Sequence, residues 1–304
     1  MMRIGASEVA VILGVSPWST PLRLWEEKTG LVERERGTGE WLEWGTLLEP
    51  LIAKRYGEKS GRTVRHYHQG SLIANRRHPT IDCFACSLDG EVDDPTEPER
   101  GTGVLECKNV VAFKEGEWRD GAPIHYQVQG QAAMACTGYR WASFPHLIGG
   151  NKLAWSDHER NEGFIAAMEA KVREFIQLVI VKRAPTFGDW LTDRDGAALA
   201  DLFPKGDGDV ALDADAQFAV SELRRLDAEI AEHEAVTKPL DKQRDLLKNQ
   251  VRAAIGDKER GLMPDGAGYS WKEQETKGYT VEARTGRVLR AFKAPRMVRR
   301  AGGQ

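Results

Sequence analysis

Glu106 and Lys108 stand two residues apart in GVLECKNV (103–110), a run whose Val104, Leu105 and Val110, with Val111 behind them, suit a hydrophobic core. Two charges inside a short apolar run are costly unless something pairs with them. If the run is a strand, Glu106 and Lys108 project from one face and Cys107 turns into the core behind them. Just upstream, SLDGEV sets Asp89 beside Gly90, where one strand turns towards the next. Pairing of the two strands would bring Asp89 and Glu106 to one point. Two carboxylates and a backbone carbonyl make a hard, all-oxygen site suited to Mg²⁺ or Mn²⁺. The neighbouring lysine could then hold an attacking water whose pKa the cation lowers. The same residues also read as a structural salt bridge between Glu106 and Lys108, or as an exposed edge strand.

Other polar residues fall where such a site could use them. Glu49, in WGTLLEPLIAKRYG, lies on a helix whose other face is apolar, so it could add a metal contact or simply face water. In HYQVQGQ, Gln127 and Gln131 sit one helical turn apart on one face. A glutamine amide both donates and accepts, which suits a nucleophilic water or a phosphate oxygen, though solvated amides are common on helices. Cys83 and Cys86 have metal-ligand spacing, but no second CxxC or His pair completes a site. With Cys107 and Cys136 they read as small, reduced core residues.

The elements that must position these groups follow from periodicity. Residues 5–15 predict a short helix capped by Ser7, and TPLRLWEEKTG predicts a second, with Pro21 in its first turn and Gly30 as its stop. A helix over about 40–60 places Trp41, Trp44, Leu48, Leu51, Ile52 and Tyr56 on one broad apolar face. Residues 63–112 read as strands broken by turns, and DDPTEPERGTG joins the last two as a hairpin. IHYQVQGQAAMACTGY returns to helix, two strands follow, and a long amphipathic helix ends before Pro185. Beyond it, 191–211 reads as a linker. Residues 212–256 read as two helices split at Lys238–Pro239, an antiparallel hairpin, and a small β element with a basic tail completes 212–304.

The chain has 304 residues, 41% hydrophobic and 29% charged, enough for one large domain or two modest ones. A net charge of −3 argues against coating nucleic acid with the whole surface but leaves room for a local basic groove. From Arg284 to Arg300 seven cations occur with no acid among them, equally a solvated tail or a phosphate contact. No apolar run is long enough to span a membrane and no signal segment opens the chain, so the expected location is cytoplasmic.

An Asp followed by Glu-x-Lys on a strand is the signature of the PD-(D/E)XK nuclease superfamily. Five ordered blocks make the resemblance narrower: IGASEVAVILGVSPWSTPLRLWEEKTG, WGTLLEPLIAKRYG, ACSLDGEV, LECK and YQVQGQAAMACTG. Together, over residues 4 to about 185, they resemble the YqaJ-type viral recombinases, a lambda-exonuclease-like family of that superfamily. The resemblance implies an α/β fold with a restriction-endonuclease-like core, a central mixed sheet flanked by helices, over 1–190. It further implies that Asp89, Glu106 and the Cys107 carbonyl bind the catalytic metal, that Lys108 assists the water, and that Glu49 and Gln127 complete the site. Ser7 and Ser87 would contact the 5′-terminal phosphate, beside a helix start where free N–H groups point. Gln131 is a further DNA contact on this reading. Relatives that carry an upstream arginine for that phosphate have here only Arg3, and where some carry another acid this chain has Pro79, with Asp82 the nearest carboxylate.

The expected activity is therefore a Mg²⁺-dependent DNA exonuclease, with Mn²⁺ as a substitute, acting 5′ to 3′ on double-stranded ends in phage-type recombination. The resemblance implies a homotrimer and a single-strand annealing protein as partner. Two rivals stand beside it: an endonuclease or nickase that needs no end, and a DNA-binding or assembly protein without catalysis. Intact Asp89, Glu106 and Lys108 weigh against the latter.

Overall fold

In the computed structural model, residues 2–33, 39–68, 70–186, 188–205, 209–265 and 267–272 are described. The first part of the chain runs β1 (Ile4–Gly5), α1 (Ala6–Ile12), α2 (Pro21–Thr29), α3 (Glu40–Ser60), β2 (Thr63–His66), β3 (Asn75–Arg77) and β4 (Phe84–Ser87). It continues through β5 (Gly90–Asp93), β6 (Gly103–Leu105), β7 (Lys108–Val110), α4 (Ile124–Thr137), β8 (Trp141–Ile148), β9 (Lys152–Glu159), α5 (Glu162–Ile180) and α6 (Gly196–Leu202). Then come α7 (Ala214–Ile255), β10 (Arg260–Leu262) and β11 (Gly268–Ser270). Two units result, Met1–Leu202 and Phe203–Gln304.

The first unit is a central mixed sheet flanked by helices, the α/β core expected. Its strands pair in the order β2–β5–β6–β8, with β7 also on β8 and β9 on the far side of β8. The predicted hairpin is present: β5 and β6 are antiparallel, with Gly90 opposite Leu105. β6 and β7 both run parallel to β8, Leu105 opposite Ser143 and Lys108 opposite His146. They are one strand interrupted at Glu106–Cys107. A smaller sheet pairs β1 with β4 and β4 with β3. The passage from the smaller sheet to the larger is two residues long, Leu88–Asp89, and β5 starts at Gly90. A Cβ on Gly90 would stand 2.5 Å from the Arg65 carbonyl oxygen and 3.1 Å from the His66 Cα of β2. Glycine is therefore required there by close backbone approach.

Two apolar clusters hold this frame. The larger gathers Val9, Phe84, Val128, Phe144, Met168 and Phe175 from α1, α4, α5 and the sheets between them. The smaller packs Ile52, Ala53 and Tyr56 of α3 onto Val92, Leu105, Cys107 and Trp141. Behind it Arg62 forms ion pairs with Asp94 and Asp157, both at 2.7 Å, and lies over the Trp141 ring.

Local chemistry explains most helix ends. Thr20 accepts a hydrogen bond from the Arg23 amide to cap α2, and Gly30 ends it in the left-handed region. In α1 the cap is Gly5, whose amide donates to Glu8 Oε2, so Ser7 lies within the first turn and is not the cap. Only the second half of α3 is buried. Trp41 and Trp44 are 65% and 51% exposed, and Leu51 is also exposed, so the broad apolar face expected to pack inward is half turned outward.

The first unit also extends past Pro185: Trp190 and Ala198 are buried in its core, and residues 191–202 of the expected linker belong to it. The hairpin expected at 212–256 is instead one continuous helix, α7, with Pro239 inside it. A proline costs a helix about 3 kcal/mol. Forty-two residues free of glycine, rich in Ala, Leu, Glu and Arg, with Asp213 capping the start, outweigh that. The β element is an antiparallel pair, β10 with β11. The basic stretch 284–300 lies outside the described residues.

Candidate active site

The interruption in the β6–β7 strand is where the charged groups meet. The Glu106 amide still donates to the Ser143 carbonyl (3.0 Å), but the Cys107 amide donates sideways to Asp89 Oδ2 at 2.9 Å. One backbone N–H thus fixes the acid of the strand crossing against the acid of the strand itself. Glu106 is 1% exposed, and Lys108 Nζ donates to its Oε2 at 3.0 Å. The Cys107 thiol is buried in the smaller core cluster.

Burial raises the Glu106 carboxyl first and repulsion from Asp89 adds to it; despite Lys108, it is pushed up to about 8. Asp89 is raised by burial against the pull of Lys108. Burial also raises Glu49, with Asp89 repulsion second. For Lys108 burial works against the charge, yet Glu106 and Asp89 hold its pKa above the usual range. The pocket is a set of acids sharing one ammonium. At neutral pH that ammonium keeps its proton.

Three residues not foreseen complete the arrangement. Gln129 Nε2 donates to Glu106 Oε2 at 2.7 Å, while its carbonyl accepts from Lys108 at 3.4 Å. The Tyr126 ring lies 4.8 Å from Lys108 Nζ. His66 Nε2 is 2.8 Å from Glu49 Oε1, holding that carboxylate from the β2 side.

Gln127 and Gln131 are placed elsewhere. Gln127 donates to the Ala122 carbonyl at 2.6 Å. Gln131 donates to the Glu159 carbonyl and accepts from the Asn161 amide, clamping α4 to the loop before α5. A signal for Gln129 existed in the sequence. One turn beyond it come Ala132 and Ala133, both fully buried, the small-residue face against which a sheet can approach.

Arg3, Ser7 and Ser87 do come together. They line one cavity of about 690 Å³ that Gln129 borders from the acid cluster, with Lys28, Glu8 and Glu27 also in its wall. Arg3 donates to Asn75 Oδ1 at 3.1 Å, and Lys28 pairs with Glu8 at 2.8 Å. A neighbouring cavity of about 390 Å³ shares Ser7 and Gln129 and is edged by Trp18, whose ring meets His125 edge-on.

Among the described residues no three His, Cys, Asp or Glu side chains stand close enough to hold a metal together. Glu49 is turned to His66 and Asp89 to the Cys107 amide. The donor chemistry nevertheless fits a hard divalent cation. Asp89, Glu106 and Glu49 are oxygen donors raised by burial, and Asp89 raises the other two further, a cost that a nearby dication would offset.

The fold is a mixed α/β core that sets Asp89 at a strand crossing beside the Glu106–Lys108 strand, and sequence comparison gives its family. Residues 1–140 match the model of the YqaJ-like viral recombinase domain. The chain is 30% identical over 269 residues to the uncharacterized protein YqaJ of Bacillus subtilis strain 168, covering 86% of this chain and 77% of that one. The chain belongs to the YqaJ-like viral recombinase family. Among solved structures, it is similar to an alkaline exonuclease from Laribacter hongkongensis, with a TM-score of 0.44 and 23% identity over 59% of this chain and 89% of that one. It is also similar to a phage-related exonuclease from Haemophilus somnus, with a TM-score of 0.41 and 12% identity over 60% and 96%.

Proposed function

We propose that the protein is a metal-dependent DNA nuclease, an exonuclease acting 5′ to 3′ on double-stranded ends in phage-type recombination. The observation that supports this reading most is the contact set Asp89–Cys107–Glu106–Lys108, in which two acids and an ammonium share one buried pocket. Asp89 and Glu106, with Glu49 beside them, would hold Mg²⁺ or Mn²⁺. A bound cation would polarise a phosphoryl oxygen and lower the pKa of water.

The chain's own residues do the rest. Lys108 remains an ammonium, so it acts as a donor that orients the attacking water and offsets charge developing on the phosphate oxygens, not as a resting base. Gln129, bonded to both Glu106 and Lys108, fixes their relative position and keeps a neutral amide at the cavity edge. His66 holds the Glu49 carboxylate from the β2 side. The Arg3, Ser7 and Ser87 side chains supply donors for a terminal phosphate. Gln127 and Gln131 serve the helix frame on this reading, and Gln129 takes the glutamine role.

Assembly and partners follow as part of the proposal. Exposed Trp41, Trp44, Leu47 and Leu51 on α3 form the kind of apolar face that oligomers cover, which supports self-association, on this reading as a homotrimer. A single-strand annealing protein would take the strand left behind, in the bacterial cytoplasm.

Linear duplex incubated with the protein and Mg²⁺ should be degraded from its ends while covalently closed plasmid stays intact. Loss of the closed plasmid would replace the exonuclease with an endonuclease. Undiminished digestion by Glu106→Ala would sink the nuclease site itself. Gln129→Ala should slow digestion about 100-fold, because Glu106 and Lys108 lose the amide that fixes their relative position. Gln127→Ala should stay within about threefold, since it breaks one part-buried contact at the helix start, to the Ala122 carbonyl and away from the acids, worth about 1 kcal/mol. Equal effects in an end-labelled time course would return the role to Gln127.

A further inference from the structure

The second unit carries a groove of its own, of about 420 Å³, between α7 and the β10–β11 hairpin. Its floor is apolar: Leu247, Val251 and Ile255 recur at four-residue spacing on α7. Along the next row of the same helix stand Arg244, Lys248 and Arg252, again four apart. The opposite wall is Tyr269 and Trp271, two residues apart and so on one face of the strand line. Both are exposed, at 65% and 50%. Every charged residue lining the groove is a cation.

We propose that this groove binds single-stranded DNA, with the Arg244–Lys248–Arg252 row contacting phosphates and the Tyr269 and Trp271 rings stacking on bases. A basic track beside sequential aromatic rings is what unpaired nucleic acid requires, because each base offers a π-face and each linkage a charge. Duplex DNA hides its base faces in the stack, so it could use the cations alone. The present partners of those cations do not compete strongly. Arg244 pairs with Asp241 at 3.0 Å and Lys248 with Asp245 at 3.6 Å, and both are exposed ion pairs of the weak kind. Arg252 donates to the neutral Asn249 amide oxygen at 2.6 Å. Glycines let the hairpin close over the helix end: a Cβ on Gly261 would meet Ile255 at 2.9 Å, and one on Gly268 would meet the Gly261 carbonyl oxygen at 1.9 Å. The aromatic wall is thereby held against α7.

The groove belongs to the second unit and the acid cluster to the first, and the proposal is independent of the nuclease reading. Its test uses the full chain in chelator, where no hydrolysis proceeds, and the anisotropy of a fluorescein-labelled oligothymidylate. Trp271→Ala and Tyr269→Ala should each weaken binding about tenfold, the effect of losing one stacked base. Trp271→Phe should stay within about threefold of the parent, because the ring face is retained. Arg244→Gln/Lys248→Gln/Arg252→Gln should lower the slope of log affinity against log salt by about 2, at about 0.7 per phosphate on single strands. Blunt duplex should not distinguish Trp271→Ala from the parent. Unchanged oligothymidylate affinity in both the Trp271→Ala and the triple variant overturns the proposal. So does an equal loss for Trp271→Phe and Trp271→Ala, or an equal loss on duplex. Displacement of oligothymidylate by poly-glutamate at the same charge concentration also overturns it, because the groove would then read charge without bases.

Discussion

Lys108→Ala is expected to slow duplex digestion about 1,000-fold at saturating Mg²⁺, the upper range for removing one preorganised donor from a buried site. The loss is large because the lysine has two duties. Its ammonium lies 3.0 Å from Glu106 and helps keep that carboxyl, raised by burial, from rising further. It is also the cation in this pocket that can face charge developing on a phosphate oxygen. Arginine should rescue little, since its planar fork cannot sit between Glu106 and the Tyr126 ring as a point charge does. Single-turnover digestion of end-labelled duplex separates the step from binding: the rate should fall with little change in the half-saturating DNA concentration. A rate within tenfold of the parent would remove Lys108 from the chemistry.

Metal-free Glu106→Gln should be more stable than the parent, by an amount that grows with pH. The folded Glu106 carboxyl holds its proton up to about 8, against an ordinary value of 4.5. Between those values the folded state binds more protons than the unfolded one, so this group costs the parent stability as pH rises through that window. Glutamine has no proton to lose, and its carbonyl can still accept from Lys108. Thermal melts in chelator at pH 5 and pH 9 should show the melting-temperature gap, variant minus parent, widening by several degrees. Mg²⁺ should then stabilise the parent more than the variant and narrow the gap at pH 9, by mass action on the folded state. A gap that is flat or shrinks with pH would mean that Glu106 is already ionised in the free protein.

The strand of Glu106 and Lys108 was legible because its charges contradict its apolar setting, and such contradictions point to sites. Asp89 followed from the glycine beside it and from hairpin logic, and α2 from its Thr20–Pro21 start and Gly30 stop. The glutamine was less legible. Gln127, Gln129 and Gln131 occupy alternating sides of one helix, and which side meets the strand depends on packing against β4 and β8, a long-range fact. For α3 the apolar pattern was real, but a pattern marks what avoids water and does not say what covers it. Pro239 is a local breaker, and its effect is overridden by the helix-forming sequence on both sides of it, which no single residue reveals.

Gly90 links the two ends of the site in a way its place in a turn motif would not suggest. At that residue β2 and β5 touch backbone to backbone, and the β2 residue facing it, His66, is the one whose ring grips Glu49. Asp89 precedes the contact by one residue. A single methyl group at position 90 would therefore act as a spacer, prising β2 and its histidine away from the acids without altering any charged group. The glycine is a hinge pin for three carboxylates, and its smallness sets their separation.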